Sequence, residues 1–367
     1  MHKLLLLLAL LLITLTANAQ TIPFDIEHWD FRAKESQIED HLGQKSLRLL
    51  GGLAVVKDSR FTDGIIEFDM AFGPERGFQG VVWRVQSDLL NYEEFYIRPH
   101  QSGNPDANQY HGVFNGLEGW QLYYGTAYSS PVTYDFNQWT HFKIVVSGKN
   151  AEIYIKDMAT PALFIPELKH ETASGRVGLN VSNFAPAYFS NFSFTAMNNP
   201  PLKGKALPPE LTPAGTVMSW MVSNAFDGKS LEKKYQLTPA DKRNLTWTRL
   251  PSESTGLTNL ARVQGPQPNK NTAYARLTIQ SDRDQVKKLR FGFSDDIKAY
   301  FNDKLIYGGS DIYRSRDYRF LGTVGLYDEL YLPLKKGDNE VWLAITENFG
   351  GWGVKGQFDD LEGITLK

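Results

Sequence analysis

Alternation of apolar and polar residues with a period of two runs through most of this chain, and no other feature restricts its fold as much. Across residues 65–72, Ile66, Phe68, Met70 and Phe72 alternate with Ile65, Glu67, Asp69 and Ala71. Successive side chains of a strand face opposite sides, so this is the period of a half-buried strand. The pattern returns at Phe95, Ile97 and Pro99 against Glu94, Tyr96, Arg98 and His100. It recurs at Phe142, Ile144 and Val146, at Ala151, Ile153 and Ile155, at Val177, Leu179 and Val181, and through residues 188–194. Ser147-Gly148-Lys149-Asn150 between two of these segments is a hairpin signal. No segment carries an amphipathic helix. Short strands at regular spacing, with polar turns between them, imply an all-β sandwich.

The second half reads the same way. Candidate strands span 217–222, 272–279, 288–293, 297–301, 304–307, 329–333 and 339–346, with tight turns at Phe301-Asn302-Asp303-Lys304 and at 336–339. Between the halves, residues 198–215 contain five prolines, which bar both helix and central strand. The expected architecture is two β-sandwich (jelly-roll) domains joined by a Pro-rich linker: a leader at 1–19, a sandwich at 20–197, the linker at 198–215 and a jelly roll at 216–367.

The leader has the three parts of a secretory signal. His2 and Lys3 are followed by an unbroken apolar run from Leu4 to Ile13, and Ala17-Asn18-Ala19 supplies the small-x-small cleavage pattern. The run is about half of the roughly 20 residues a membrane span needs. Cleavage predicts a secreted or periplasmic protein with no membrane insertion. The chain has no Cys, which excludes a lipoprotein anchor, disulfides and thiolate chemistry. A formal net charge of −2 argues against nucleic acid as a partner.

Several phrases bring a family into view. Asp63-Gly64-Ile65-Ile66-Glu67-Phe68-Asp69, Gly80-Val81-Val82-Trp83-Arg84, residues 92–100, Trp139-Thr140-His141-Phe142-Lys143-Ile144, Gly175-Arg176-Val177-Gly178-Leu179 and Phe189-Ser190-Asn191-Phe192 occur in order. Together, roughly over residues 25–196, they resemble the concanavalin A-like lectin/glucanase superfamily, laminin-G-type domains in particular. They are also similar to the domain of bacterial 3-keto-disaccharide hydrolases, with no catalytic motif matched residue by residue. Residues 294–304 and 332–340 resemble a galactose-binding-like jelly roll, with Asp303 where such hairpins usually have Gly. The resemblance implies a ligand groove on the concave face of the first sandwich.

Residues 83–124 carry the chemistry expected of such a groove. The candidate ligand-binding residues are Trp83, Arg84, Tyr96, Arg98, His100, Gln109, Asn115, Trp120 and Gln121. Aromatic rings offer flat faces to sugar C–H bonds, and amide or guanidinium groups hydrogen-bond paired hydroxyls. Tyr and Trp are equally ordinary sandwich residues. Glu67 and Asp69 begin a glucanase-like run of carboxylates on one strand face, but Ala71 and Phe72 stand where the third is needed, so no catalytic residue is assigned. No metal site is assigned; the oxygen-rich loop 102–108 would suit Ca²⁺ or serve as a turn, and no cofactor is expected. In the second half, the charged loop 314–319 and Phe349-Gly350-Gly351-Trp352-Gly353 read either as an aromatic platform or as a Gly-rich bulge seating a core Trp.

The expectation is an exported carbohydrate-binding protein with an oligo- or polysaccharide partner. Two alternatives stay open: a glycoside hydrolase or lyase using the Arg/Tyr/His strand face, and a structural or adhesive surface protein.

Overall fold

The structure is a computed structural model describing residues 21–205, 208, 211–312, 316–320 and 322–367. The expected leader at 1–19, parts of the linker, and Arg314 and Ser315 lie outside the described residues.

In the first half the alternating segments form strands β1 (Trp29–His41), β2 (Gln44–Val56), β3 (Gly64–Ala71), β4 (Gln79–Val85), β5 (Tyr92–Ile97), β6 (Asn108–Val113), β7 (Thr140–Ser147), β8 (Asn150–Ile155), β9 (Leu163–Ile165), β10 (Arg176–Val181) and β11 (Ala187–Ala196). The hairpin expected at 147–150 joins β7 to β8, with Ser147 opposite Asn150. The β5 segment is shorter than its pattern suggests. Pro99 has no N–H for a ladder, so the strand stops at Ile97, and Pro99 and His100 lie in a 3₁₀ turn, Pro99–Gln101.

One strand serves two layers. β2 pairs with β11 through Leu47–Leu49 and with β10 through Gly52–Val55. Gly51 and Gly52, at φ 71° and 139°, turn the chain between those stretches. A Cβ on Gly52 would lie 2.2 Å from the Arg32 carbonyl oxygen, so only glycine fits. From β2 one arm runs β10-β4-β5-β6 and the other β11-β3-β7-β8-β9. The arms pack face to face: Val81, Trp83, Phe95 and Leu179 of the first meet Phe68, Phe142, Ile144 and Phe189 of the second in one core. Each such side chain contributes about 1.5–3 kcal/mol by leaving water.

The second half contains β12 (Ser219–Ser223), β13 (Trp247–Pro251), β14 (Thr258–Asn259), β15 (Thr272–Ser281), β16 (Gln285–Phe293), β17 (Asp296–Phe301), β18 (Lys304–Ser310), β19 (Asp328–Leu334), β20 (Gly337–Thr346), β21 (Gly353–Phe358) and β22 (Ile364–Leu366). One sheet has the order β13-β12-β15-β20-β17-β18, with β22 beside β15, and the other has β14-β21-β16-β19. Leu277, Leu343 and Ile297 of the first sheet face Phe291, Leu332 and Val354 of the second. The β17–β18 turn places Asn302 and Asp303 at φ 45° and 71°, so Asp303 adopts the left-handed conformation that Gly usually supplies. The chain is all-β, built from packed sheets as the alternation implied.

Candidate functional site

The outer face of the β10-β4-β5-β6 arm carries a layer of polar side chains. The register puts Tyr96 between Gly80 and Gln109, and Glu94 between Val82 and His111. Asn180 of β10 lies opposite Gly80. Tyr96 donates to Gln109 Oε1 (3.0 Å), and Arg98 donates to the Tyr96 hydroxyl (2.7 Å) and also to Gln109 Oε1. The Arg98 guanidinium also lies 5.0 Å from the Tyr96 ring centroid. Above this layer, Phe78 meets Tyr96, His100 and Phe184 edge-on, and Arg76 lies 4.7 Å from the exposed Phe184 ring.

Glu94 and His111 are the anomalous pair. Asn180 donates to Glu94 Oε1 at 2.6 Å. Glu94 Oε2 and His111 Nε2 are buried, 3.7 Å apart, and neither has a hydrogen-bond partner. Unsatisfied buried polar atoms cost about 1–3 kcal/mol each, and such sites are where folds hold function. Burial first, and then the neighbouring Glu118 carboxylate, push the Glu94 pKa up to about 8. Burial pushes His111 down to about 3, so its ring is neutral. Gly119 N–H points to His111 Nδ1 (3.3 Å), which leaves the ring proton on Nε2.

Glu118, on the loop after β6, acts on Glu94 through its charge. Its side chain is exposed, while surrounding protein raises its pKa and Arg98 lowers it. Glu94 and Glu118 thus form an electrostatically linked acidic pair, with Glu94 buried and Glu118 exposed. Burial, followed by the charges of Arg98 and Arg76, lowers the pKa of the exposed His100.

Of the residues expected in a groove, Tyr96, Arg98, His100 and Gln109 converge here. Trp83 and Arg84 do not. Trp83 pairs with Glu93 on the opposite face, is fully buried in the core, and lies 6.1 Å from Tyr110. Arg84 has φ 52°, which breaks the alternation and turns it inward. It donates to Thr62 O, Asp63 Oδ1 and Gly148 O, tying down one end of the sandwich. Asn115, Trp120 and Gln121 also fall outside this cluster, because they pack on the second half. Asn115 donates to Ala261 O (2.7 Å). Trp120 meets Phe349 at 5.1 Å and covers Gly350 so closely that a Cβ there would sit 2.2 Å from the indole. Gln121 donates to Asp295 Oδ1 (3.2 Å), and its N–H to Gly350 O (3.0 Å).

These contacts bear on the site because Gln109 links the two regions. Its side-chain amide donates to Trp120 O (2.7 Å) and to Tyr123 O, while its Oε1 receives Tyr96 and Arg98. The Glu118 loop is therefore fixed from within by Gln109 and from outside by the second half. Beside it, Glu253 gathers Tyr123 (2.7 Å), Lys169 (2.8 Å) and Arg262 (3.2 Å). Trp352 is a core residue donating to Ile345 O, so the glycine-rich loop seats a Trp. In loop 102–108, Ser102 Oγ accepts from Tyr134 N–H and Asn108 bonds Ser130. Glu67 and Asp69 lie on the outer face of the other arm, flanking His141 at 3.6 and 2.7 Å.

Residues 24–195 match the family model of the 3-keto-alpha-glucoside-1,2-lyase-like domain. The match covers the first sandwich, a little under half of the chain, and the resemblance to 3-keto-disaccharide hydrolase domains read from residues 25–196 stands. Among solved structures, the chain is similar to carbohydrate-binding module CBM66 from Bacillus subtilis, at 18% identity over 46% of this chain and 96% of that one, with a TM-score of 0.35. It is also similar to the beta-glucanase of Bacillus licheniformis, at 9% identity over 49% and 97%, TM-score 0.35. A Bacillus subtilis protein of galectin-like fold and unknown function gives 12% identity over 46% and 89%, TM-score 0.34. The chain matches none of the curated proteins.

Proposed function

We propose that this is an exported lyase of 3-keto-glycosides, with Glu118 and Glu94 as its acid–base pair. The observation that carries the reading is that pair: an exposed Glu118 and a buried Glu94 whose Oε2 has no hydrogen-bond partner and whose pKa burial pushes up to about 8. Near neutrality Glu94 keeps its proton, because burial and then the charge of Glu118 oppose its ionisation. A 1,2-elimination needs such a pair. In a 3-keto-glycoside the C2 proton is acidified by the adjacent carbonyl. The Glu118 carboxylate takes that proton, the electron pair forms the C1–C2 double bond, and the C1–O bond breaks. The departing alkoxide takes a proton from the pair, which returns to its starting charge. Arg98, which acts electrostatically on Glu118, supplies positive field for charge developing on the carbonyl oxygen. The exposed Phe184 offers a face to the ring. The leader at 1–19 supports export.

The test is release of p-nitrophenol from its 3-keto-α-glucoside, measured above the buffer rate, together with absorbance of the unsaturated ketone. A bell-shaped pH profile is expected, with at least a hundredfold loss in Glu118→Gln and in Glu94→Gln. Turnover equal to buffer, or unchanged by both substitutions, overturns the lyase. Phe184 with Arg76 also favours a second reading, a glycan-binding protein without turnover. Binding of intact glycosides without product would establish it.

A further inference from the structure

We infer that the second half carries its own binding cleft for a neutral, hydroxyl-rich glycan, on the outer face of the sheet containing β17, β18 and β20. That face changes character along its length. At one end Tyr274, Tyr300 and Trp342 are covered by Leu231, Leu237 and neighbouring residues of the segment after β12. At the other end the cover stops and a cleft of about 670 Å³ opens, within the range of small-molecule sites, about 300–1,000 Å³. Its floor is low because Lys298 lies between two small residues, Gly308 of β18 and Ala344 of β20. Asp227, Lys229, Asn269, Asn271, Asp296 and Asn348 are among the residues that line it.

Carboxylates and amides lining one cleft suit a polyol. Carboxylates accept from hydroxyls, and amides both accept and donate. Acidic and basic lining side chains are both present, which disfavours a strongly anionic chain. Lys298 is held by the Leu231 carbonyl, and Asn348 donates to Asp296 Oδ2 (2.9 Å), so parts of the wall are preorganised. Asp296 and Asn348 directly adjoin Asp295 and Phe349, the residues that hold Gln121 and Trp120. A glycan in this cleft lies against the loops that fix the Glu118 segment.

The full chain is titrated calorimetrically with cellopentaose, laminaripentaose, xylopentaose and maltopentaose. Gly308→Leu plugs the cleft without straining the fold, since the nearest atom to a Cβ there is 3.9 Å away. Asp296→Ala removes one acceptor. The expected result is binding of at least one probe, weakened at least tenfold by Gly308→Leu and by Asp296→Ala and retained in Glu118→Gln. No binding of any probe, or equal binding by Gly308→Leu, overturns the inference. Turnover of the small keto-glucoside by Gly308→Leu reports on the lyase separately, so the two readings fail independently.

Discussion

Glu347→Gln should stabilise the protein in alkaline solution and leave it nearly unchanged in mild acid. The Glu347 side chain is buried; its Oε1 accepts from Gly351 N–H at 3.3 Å and its Oε2 has no partner. Burial, then the charge of Asp295, raises its pKa from 4.5 to about 8. Such a displacement corresponds to about 5 kcal/mol against the ionised form, and relaxation with water entry leaves roughly half. The folded chain binds the extra proton between pH 4.5 and about 8, while the unfolded chain has released it. Stability therefore falls as pH rises through that window. Glutamine keeps the shape and carries no charge. At pH 9 the variant should gain about 2 kcal/mol over the parent, and at pH 5 the two should agree within about 1 kcal/mol. Urea unfolding followed by tryptophan fluorescence, repeated from pH 5 to 9, gives the difference directly. Parallel curves across that range would refute the assignment of a buried, proton-holding Glu347.

Three further outcomes follow from contacts described above. Trp120→Ala should cost about 3–5 kcal/mol in a thermal melt and lower turnover as well, because the Glu118 loop loses its seat on Phe349. Glu253→Ala leaves Lys169 buried with a single acidic partner and should cost about 3–5 kcal/mol, with calorimetry resolving two transitions where the parent shows one. Asp69→Asn should move the NMR titration midpoint of His141 from about 9 back toward 6.5. The Asp69 and Glu67 carboxylates hold the imidazolium, so their support is complete below pH 6.5 and disappears as pH rises through 9.

The strands were legible because alternation is a local signal. The hairpin at 147–150 and the pattern from Ile66 to Met70 needed no distant information. Which face of the β4 segment meets the core was not legible. Every residue of β4 and β5 is buried, so alternation there separates two covered faces, and Arg84 at φ 52° breaks the count. Trp120 and Gln121 looked like sugar contacts because the same side chains serve sugars and interfaces alike. Their partners Phe349 and Asp295 are more than 170 residues away, beyond any local pattern. Glu118 went unnoticed between Asn115 and Trp120, because a lone acidic residue in a loop carries no period. Glu94 was visible as a polar member of its strand face, but its proton affinity arises from burial, which the sequence does not record.

The clamp around residues 115–124 has a consequence for how such chains can be rearranged. Sandwiches of this kind invite treatment as cassettes, to be cut at the proline-rich stretch and joined to new companions. Here the cut would strip Trp120, Gln121 and Tyr123 of their partners Phe349, Asp295 and Glu253 and free the loop bearing Glu118. A swapped companion would need its own counterpart of Phe349, Gly350 and Asp295 in the same place. Evolution or engineering can therefore exchange the second half only together with the loop it grips, so the inheritable unit is larger than either sandwich.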